Sequence, residues 1–208
     1  MRILLTRPEG RNEQLAEALR AQGHDVVCEP LIAIEPTGDE PVALGGYDWL
    51  IVTSVTGAEE LKRRARGRAR RVAAIGHATA EALGGADLVP RVSTQEGLLD
   101  ELPRPAGRVL FAGAEGARRL LVEELDAEFV PLYRTRALQP KQVPEADVVV
   151  LASPSAARAF AALGGETAAV SIGPETTKAA EKQGIRVIRE AATHDLDGLL
   201  EALASVRP

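Results

Sequence analysis

The 208-residue chain predicts an α/β fold made of two doubly wound parallel-sheet domains that descend from one duplicated unit. Two observations predict it. Short, nearly continuous apolar runs alternate with stretches of helical periodicity, as expected of parallel strands covered on both faces. The chain also repeats itself: "DWLIVTSVTG" (Asp48 to Gly57) returns as "DVVVLASPSA" (Asp147 to Ala156), with Ser54 falling on Ser153. "AAIGHATAEAL" (Ala73 to Leu83) meets "VSIGPETTKAA" (Val170 to Ala180), placing Gly76 on Gly173 and Thr79 on Thr176. "STQEGLLDEL" (Ser93 to Leu102) meets "HDLDGLLEAL" (His194 to Leu203), "RILLTRPEG" (Arg2 to Gly10) meets "RVLFAGAEG" (Arg108 to Gly116), and "EPLIAI" (Glu29 to Ile34) meets "VPLYRT" (Val130 to Thr135). The offset runs from 97 (Ala73 to Val170) to 106 (Arg2 to Arg108), a drift that loops can absorb. The repeat is therefore a domain-sized unit and not a short solenoid module.

The first copy justifies the class element by element. Ile3 to Thr6 is a strand, and "NEQLAEALRAQG" (Asn12 to Gly23) is an amphipathic helix that Gly23 ends, since glycine suits the left-handed C-terminal position. Val26 to Ile34 is extended, Trp49 to Thr53 a strand and Gly57 to Arg64 a helix. Val72 to Ile75 is the next strand, followed by a helix over Thr79 to Leu83 and a short strand at Leu88 and Val89.

Composition narrows the function. A net charge of −5 with 3% aromatics speaks against nucleic acid as a partner. The one basic run, "KRRARGRARR" (Lys62 to Arg71), reads as a solvated helix end, where cations favour the negative terminus. No window offers about 18 consecutive apolar residues, so no membrane span is expected, and "MRILLTRPEG" reads as a strand and turn instead of a signal peptide. Cys28 is the single cysteine, which rules out a disulfide framework or a thiolate metal cluster and suggests a reducing cytoplasm.

In parallel α/β sheets, ligands bind beyond the carboxyl ends of the strands, where helix N-termini present free N–H groups. The repeated motifs lie at those ends: Thr53, Ser54 and Thr56; Gly76 and Thr79; Ser153 and Ser155; Ser171, Gly173, Thr176 and Thr177. Each hydroxyl taken alone can be a helix cap. Their concentration in both copies, with glycine among them, suits a grip on an elongated anion through amides and hydroxyls. A G-x-S-x-G elbow, a P-loop, a dinucleotide-binding glycine pattern and H-E-x-x-H are all missing, and His24, His77 and His194 read as loop histidines without triad partners. An enzyme with this inventory works by positioning and electrostatics, without metal or cofactor. Tyr133 in "PLYRTRA", where the other copy has Ile32, is either a core-edge tyrosine or a proton donor.

The chain resembles the uroporphyrinogen-III synthase family along essentially its whole length. The resemblance is carried by "LLTRP" (Leu4 to Pro8), "EPLIAIEP" (Glu29 to Pro36), "DWLIVTSVTG", "AAIGHATAEAL", "PLYRT", "LASPSA" (Leu151 to Ala156), "SIGPETTKAA" (Ser171 to Ala180) and "HDLDGLL" (His194 to Leu200), in that order. Pattern alone leaves open a tandem split at "PRPAG" (Pro103 to Gly107) or an insertion; the resemblance implies the insertion, with two extended linkers. The expected division is residues 1–35 with 139–208, and 36–138. The resemblance further implies closure of hydroxymethylbilane, a linear tetrapyrrole, to uroporphyrinogen III with inversion of ring D and loss of water. It places the family's tyrosine on Tyr133 as the catalytic candidate. Its substrate-binding turns fall on Thr176 and Thr177, on Ser153 and Ser155, and on the equivalents Thr53, Ser54, Thr56, Gly76 and Thr79. Arg7, at the end of the first strand, can contact a carboxylate. A cytoplasmic monomer is expected. The rival reading is a non-catalytic two-domain protein that closes on a small anion.

Overall fold

A computed structural model describes residues 1–206. In chain order its elements are β1 (Arg2–Leu5), α1 (Glu13–Ala21), β2 (Asp25–Cys28), β3 (Ile32–Pro36), β4 (Val42–Ala43), β5 (Trp49–Val52), α2 (Val55–Arg64), β6 (Ala65–Arg66), β7 (Arg71–Ala74), α3 (His77–Leu83) and α4 (Gln95–Glu101). There follow β8 (Val109–Ala114), α5 (Leu120–Leu125), β9 (Glu128–Ala137), β10 (Val148–Leu151), α6 (Pro154–Ala162), β11 (Ala169–Ser171), α7 (Pro174–Lys182), β12 (Val187–Glu190) and α8 (Leu196–Ala204). They gather into two compact units, Met1–Ile34 with the chain from Arg136 onward, and Glu35–Thr135.

The first unit carries a parallel sheet in the order β12-β11-β10-β1-β2. Its strands are apolar on both faces because both faces are covered. Ile3, Leu5, Val148, Val150 and Val170 pack with Leu15 and Leu19 of α1 and Leu199 and Leu203 of α8. The alternate residues Leu4, Val149, Leu151 and Ala169 pack with Ala156, Phe160 and Ala180 of α6 and α7. The second unit's sheet runs β3-β9-β8-β5-β7, with Leu88 bridging to β7 beyond its edge. Trp49, Ile51, Val109 and Phe111 pack there against Leu98 of α4 and Leu121 of α5.

Leaving β3 aside, the two orders are one plan, with β10, β11, β1 and β2 standing where β5, β7, β8 and β9 stand. The sequence repeat and the units are nevertheless cut differently. Each unit takes the opening strands of one copy and the remainder of the other. The shared joint is visible at the strand starts. Asp147 donates its N–H to Arg2 O at 2.9 Å and takes the Arg2 N–H on its carboxylate at 2.7 Å. Asp48 does the same with Arg108, at 2.8 and 2.9 Å. Gly107, with φ +72, leaves room for that carboxylate, since a Cβ there would lie 2.3 Å from Asp48 Oδ2.

"PRPAG" joins α4 to β8 inside the second unit. Other readings are corrected. The extended run from Val26 is two strands, β2 and β3, divided at residues 29–31. Leu138 N–H bonds Leu31 O at 2.9 Å and Thr37 N–H bonds Leu132 O at 3.0 Å, so β3 lies antiparallel to β9 in an otherwise parallel sheet. Both α2 and α3 start two residues before the expected points, because Ser54 and Gly76 are the caps. The basic run is mostly fastened down and not simply solvated. Arg64, 7% exposed, donates to Glu40 O at 2.8 Å, Arg63 pairs with Glu60 and Asp39, Arg70 pairs with Asp48, and Arg71 lies over Trp49.

Candidate active site

Parallel strands bring their C-terminal ends, and the helix N-termini that follow them, to one edge of each sheet. Winding reverses once in each: between β1 and β10, and between β5 and β8. At such a reversal the flanking helices leave toward opposite faces and the edge opens into a crevice.

In the second unit, Thr53 and Ser54 follow β5 at this reversal, and both are half-buried, as is Thr56 in the first turn of α2. Ser54 is extended (φ −163, ψ 152), and its Oγ accepts the Gly57 N–H at 3.0 Å. Gly76 caps α3, and a Cβ on it would come 3.2 Å from Ser93 Oγ. Thr79, 4% exposed, faces inward. Tyr133 lies within β9; its register partner is Ala114, past an irregularity at Gly113. Because β8 stands between β9 and β5, the phenol reaches over the end of β8, where Gly113 and Ala114 are small. The Tyr133 oxygen arrives 2.9 Å from Ser54 Oγ, with the residue only 8% exposed. Burial pushes the phenol's pKa up, and the Ser54 hydrogen bond partly opposes that shift.

In the first unit the reversal is closed by Thr6, fully buried, whose hydroxyl donates to Val150 O at 2.8 Å. Arg7 follows. Its carbonyl accepts from Asn12 Nδ2 at 3.1 Å, which fastens the loop before α1. Burial foremost, then Arg11, holds the Arg7 pKa below the usual arginine value, with Glu13 opposing. Among the described residues no hydrogen bond or ion pair holds its guanidinium. Ser153 caps α6 by accepting the Ala156 N–H at 3.1 Å, and Ser155 Oγ accepts from Arg158 at 3.2 Å.

Two sequence candidates here turn inward. Ser171 is fully buried, and its Oγ lies 2.6 Å from Thr177 Oγ1. Thr177 also contacts the Glu190 carboxylate and Gly173 O. A threonine hydroxyl has one proton, so Ser171 donates to Thr177 and Thr177 donates onward, chiefly to the carboxylate. Thr176, 3% exposed, is buried too. Glu190, at the end of β12, was missed by sequence reasoning, and nothing local in the chain marks it. His194 is an exposed loop residue, as read, and its ring also lies over Gly173, where a Cβ would sit 2.6 Å from it. Among the described residues no three His, Cys, Asp or Glu side chains come together as a metal site, and no helix is long and apolar enough to cross a membrane.

The fold and these edges define an α/β protein of two like units, each offering hydroxyls and helix N-termini at a winding reversal. A profile of the family described as uroporphyrinogen-III synthase HemD matches residues 13–201, and the chain belongs to the uroporphyrinogen-III synthase family. A uroporphyrinogen-III synthase of Synechococcus elongatus is 29% identical, the match covering 97% of this chain and 93% of the relative. A mutant uroporphyrinogen III synthase of the extremely thermophilic bacterium Thermus thermophilus shares the fold with a TM-score of 0.67 and 17% identity, over 98% of this chain and 97% of that one.

Proposed function

We propose that this chain is a cyclising hydro-lyase that converts hydroxymethylbilane to uroporphyrinogen III, inverting ring D and releasing one water. Tyr133 carries the reading: a protonated phenol, largely buried, at the winding reversal of the second unit. It assists departure of the terminal hydroxyl, which leaves as water and creates the electrophilic carbon that ring D attacks. The proton lost when the closed macrocycle regains its aromatic pyrroles restores the balance. No nucleophile or oxidant is required.

The substrate carries many carboxylates while the protein's net charge is −5, so attraction has to be local. Arg7 is a half-buried cation whose charge is disfavoured by burial and Arg11 and supported by Glu13, so an arriving carboxylate is favoured there. Within the second unit, the N–H groups at the start of α2, the hydroxyls of Thr53 and Thr56 and the backbone of Gly76 are suited to carboxylates; within the first unit, the start of α6 with Ser153 and Ser155 is, while Gly173 at the start of α7 lies under His194. Thr79, Ser171, Thr176 and Thr177 support these turns from within.

The same reading takes the protein as a cytoplasmic monomer that has no dealings with nucleic acid, with its working domains divided as residues 1–35 with 139–208, and 36–138. Tyr133→Phe tests the reading. Rates of type III isomer formation should fall about 10- to 100-fold, or about 1.4 to 2.7 kcal/mol of barrier, with the melting temperature unchanged because the ring still packs. Full activity in this variant would remove Tyr133 from the chemistry.

A further inference from the structure

We propose that Ser54 is the positioning residue for Tyr133, giving its own proton to the phenol oxygen so that the phenol's proton is left for the ligand. The inference rests on the reading of Tyr133 as the group that assists hydroxyl loss.

Ser54 Oγ has two lone pairs and one proton. The Gly57 N–H occupies one lone pair at 3.0 Å, which pins the oxygen at the start of α2. The Tyr133 oxygen, at 2.9 Å, is the acceptor within reach of the proton. The distance alone leaves the donor open, and the surroundings favour Ser54. A hydroxyl that accepts an amide N–H is polarised into a better donor, so the chain Gly57 N–H to Ser54 O–H to Tyr133 O–H runs in one direction. The N-terminus of the ten-residue α2 favours that polarity, since it places positive potential on the side where negative charge develops as the phenol gives up its proton.

The internal repeat separates this task from capping. Ser153, the counterpart of Ser54, caps α6 in the same manner, but the counterpart of Tyr133 in the other copy is Ile32. Capping is therefore common to both copies, and the contact to a phenol belongs to the second unit alone, where the two copies meet.

The test uses the full chain in a Tyr47→Phe background, which leaves Tyr133 as the remaining tyrosine of two. Three variants separate the tasks. Ser54→Ala removes cap and donor, Ser54→Asp keeps the cap but can only accept from the phenol, and Ser54→Thr keeps both. Ultraviolet titration should show the phenol ionising at higher pH in Ser54→Ala than in its parent, and Ser54→Thr should restore the parent value. With hydroxymethylbilane, kcat for type III formation should drop about tenfold in Ser54→Ala and Ser54→Asp, with KM little changed, and recover in Ser54→Thr. Ser54→Asp should melt with Ser54→Thr, so a lost cap does not account for its lost turnover. A Ser54→Asp as active as Ser54→Thr, or a phenol titration unmoved in Ser54→Ala, overturns the assignment. If the parent makes no type III excess at all, the reading of the protein as a synthase fails instead, and the titration still decides whether Ser54 donates to Tyr133.

Discussion

Arg7 and Tyr133 are opposite solutions to burial at a sheet edge. Arg7 is half-buried beside Arg11, with Glu13 as the opposing charge, so burial of its charge costs stability in the free protein and is offset further when an anion binds. Arg7→Met should therefore raise KM for the bilane about tenfold, roughly 1.4 kcal/mol, while leaving the melting temperature equal or higher. A fall in melting temperature with KM unchanged would make Arg7 a structural cation. Tyr133 instead avoids charge. Burial raises its pKa, and the half-buried Tyr47 is raised as well, first by its hydrogen bond to Glu128. Because both folded values lie above the unfolded one, the contribution of the protonated phenols is present below pH about 10 and is lost as pH rises through the raised values. At pH about 10, absorbance should show clearly less tyrosinate in the native chain than in the chain in denaturant. Equal ionisation would mean that neither phenol is held as described. The sequence singles out Tyr133 as a polar residue where its repeat partner is Ile32, but it does not show the contact to Ser54, which lies 79 residues away.

At the scale of elements, the hydroxylated strand ends are largely caps. Thr94 and Asp195, matched in the repeat, accept the N–H groups of Gly97 and Gly198 at 3.1 and 2.8 Å. The glycines recur because a Cβ at either would lie 2.1 or 2.2 Å from the carbonyl oxygen of Val92 or Thr193. Recurrence in sequence thus marks packing as readily as binding, and the Ser171–Thr177–Glu190 chain makes the same point for hydroxyls that look available. Asp195→Ala should cost about 1 kcal/mol through the lost cap of α8. The Gly198 N–H, first among its causes, holds the Asp195 pKa below the usual carboxylate value. The folded value is the lower one, so the contribution is present above pH about 4 and lost as pH falls through the lowered value. Denaturant melts of the two proteins should differ at neutral pH and converge in acid. A constant gap across that range would contradict the role of the charged cap.

At the scale of the whole molecule, apolar periodicity and duplication made the α/β class and most elements readable. How the copies are shared between units was not readable from pattern, because the apolar runs of one copy suit the strands of either. Long-range pairing decides it: Ile3 with Val148 in one sheet, Trp49 with Val109 in the other. Family resemblance pointed to the insertion where local physics left it open. What the duplication provides is two edges of amides and hydroxyls, and only the second carries a phenol. The enzyme is accordingly expected to direct the folding of a reactive bilane without supplying a strong nucleophile. Freshly made hydroxymethylbilane, incubated with and without the protein and separated into isomers, tests this most directly. Type I forms without any enzyme, so the prediction is a dominant type III product that grows with protein concentration. An isomer distribution identical to that of the protein-free reaction would contradict it.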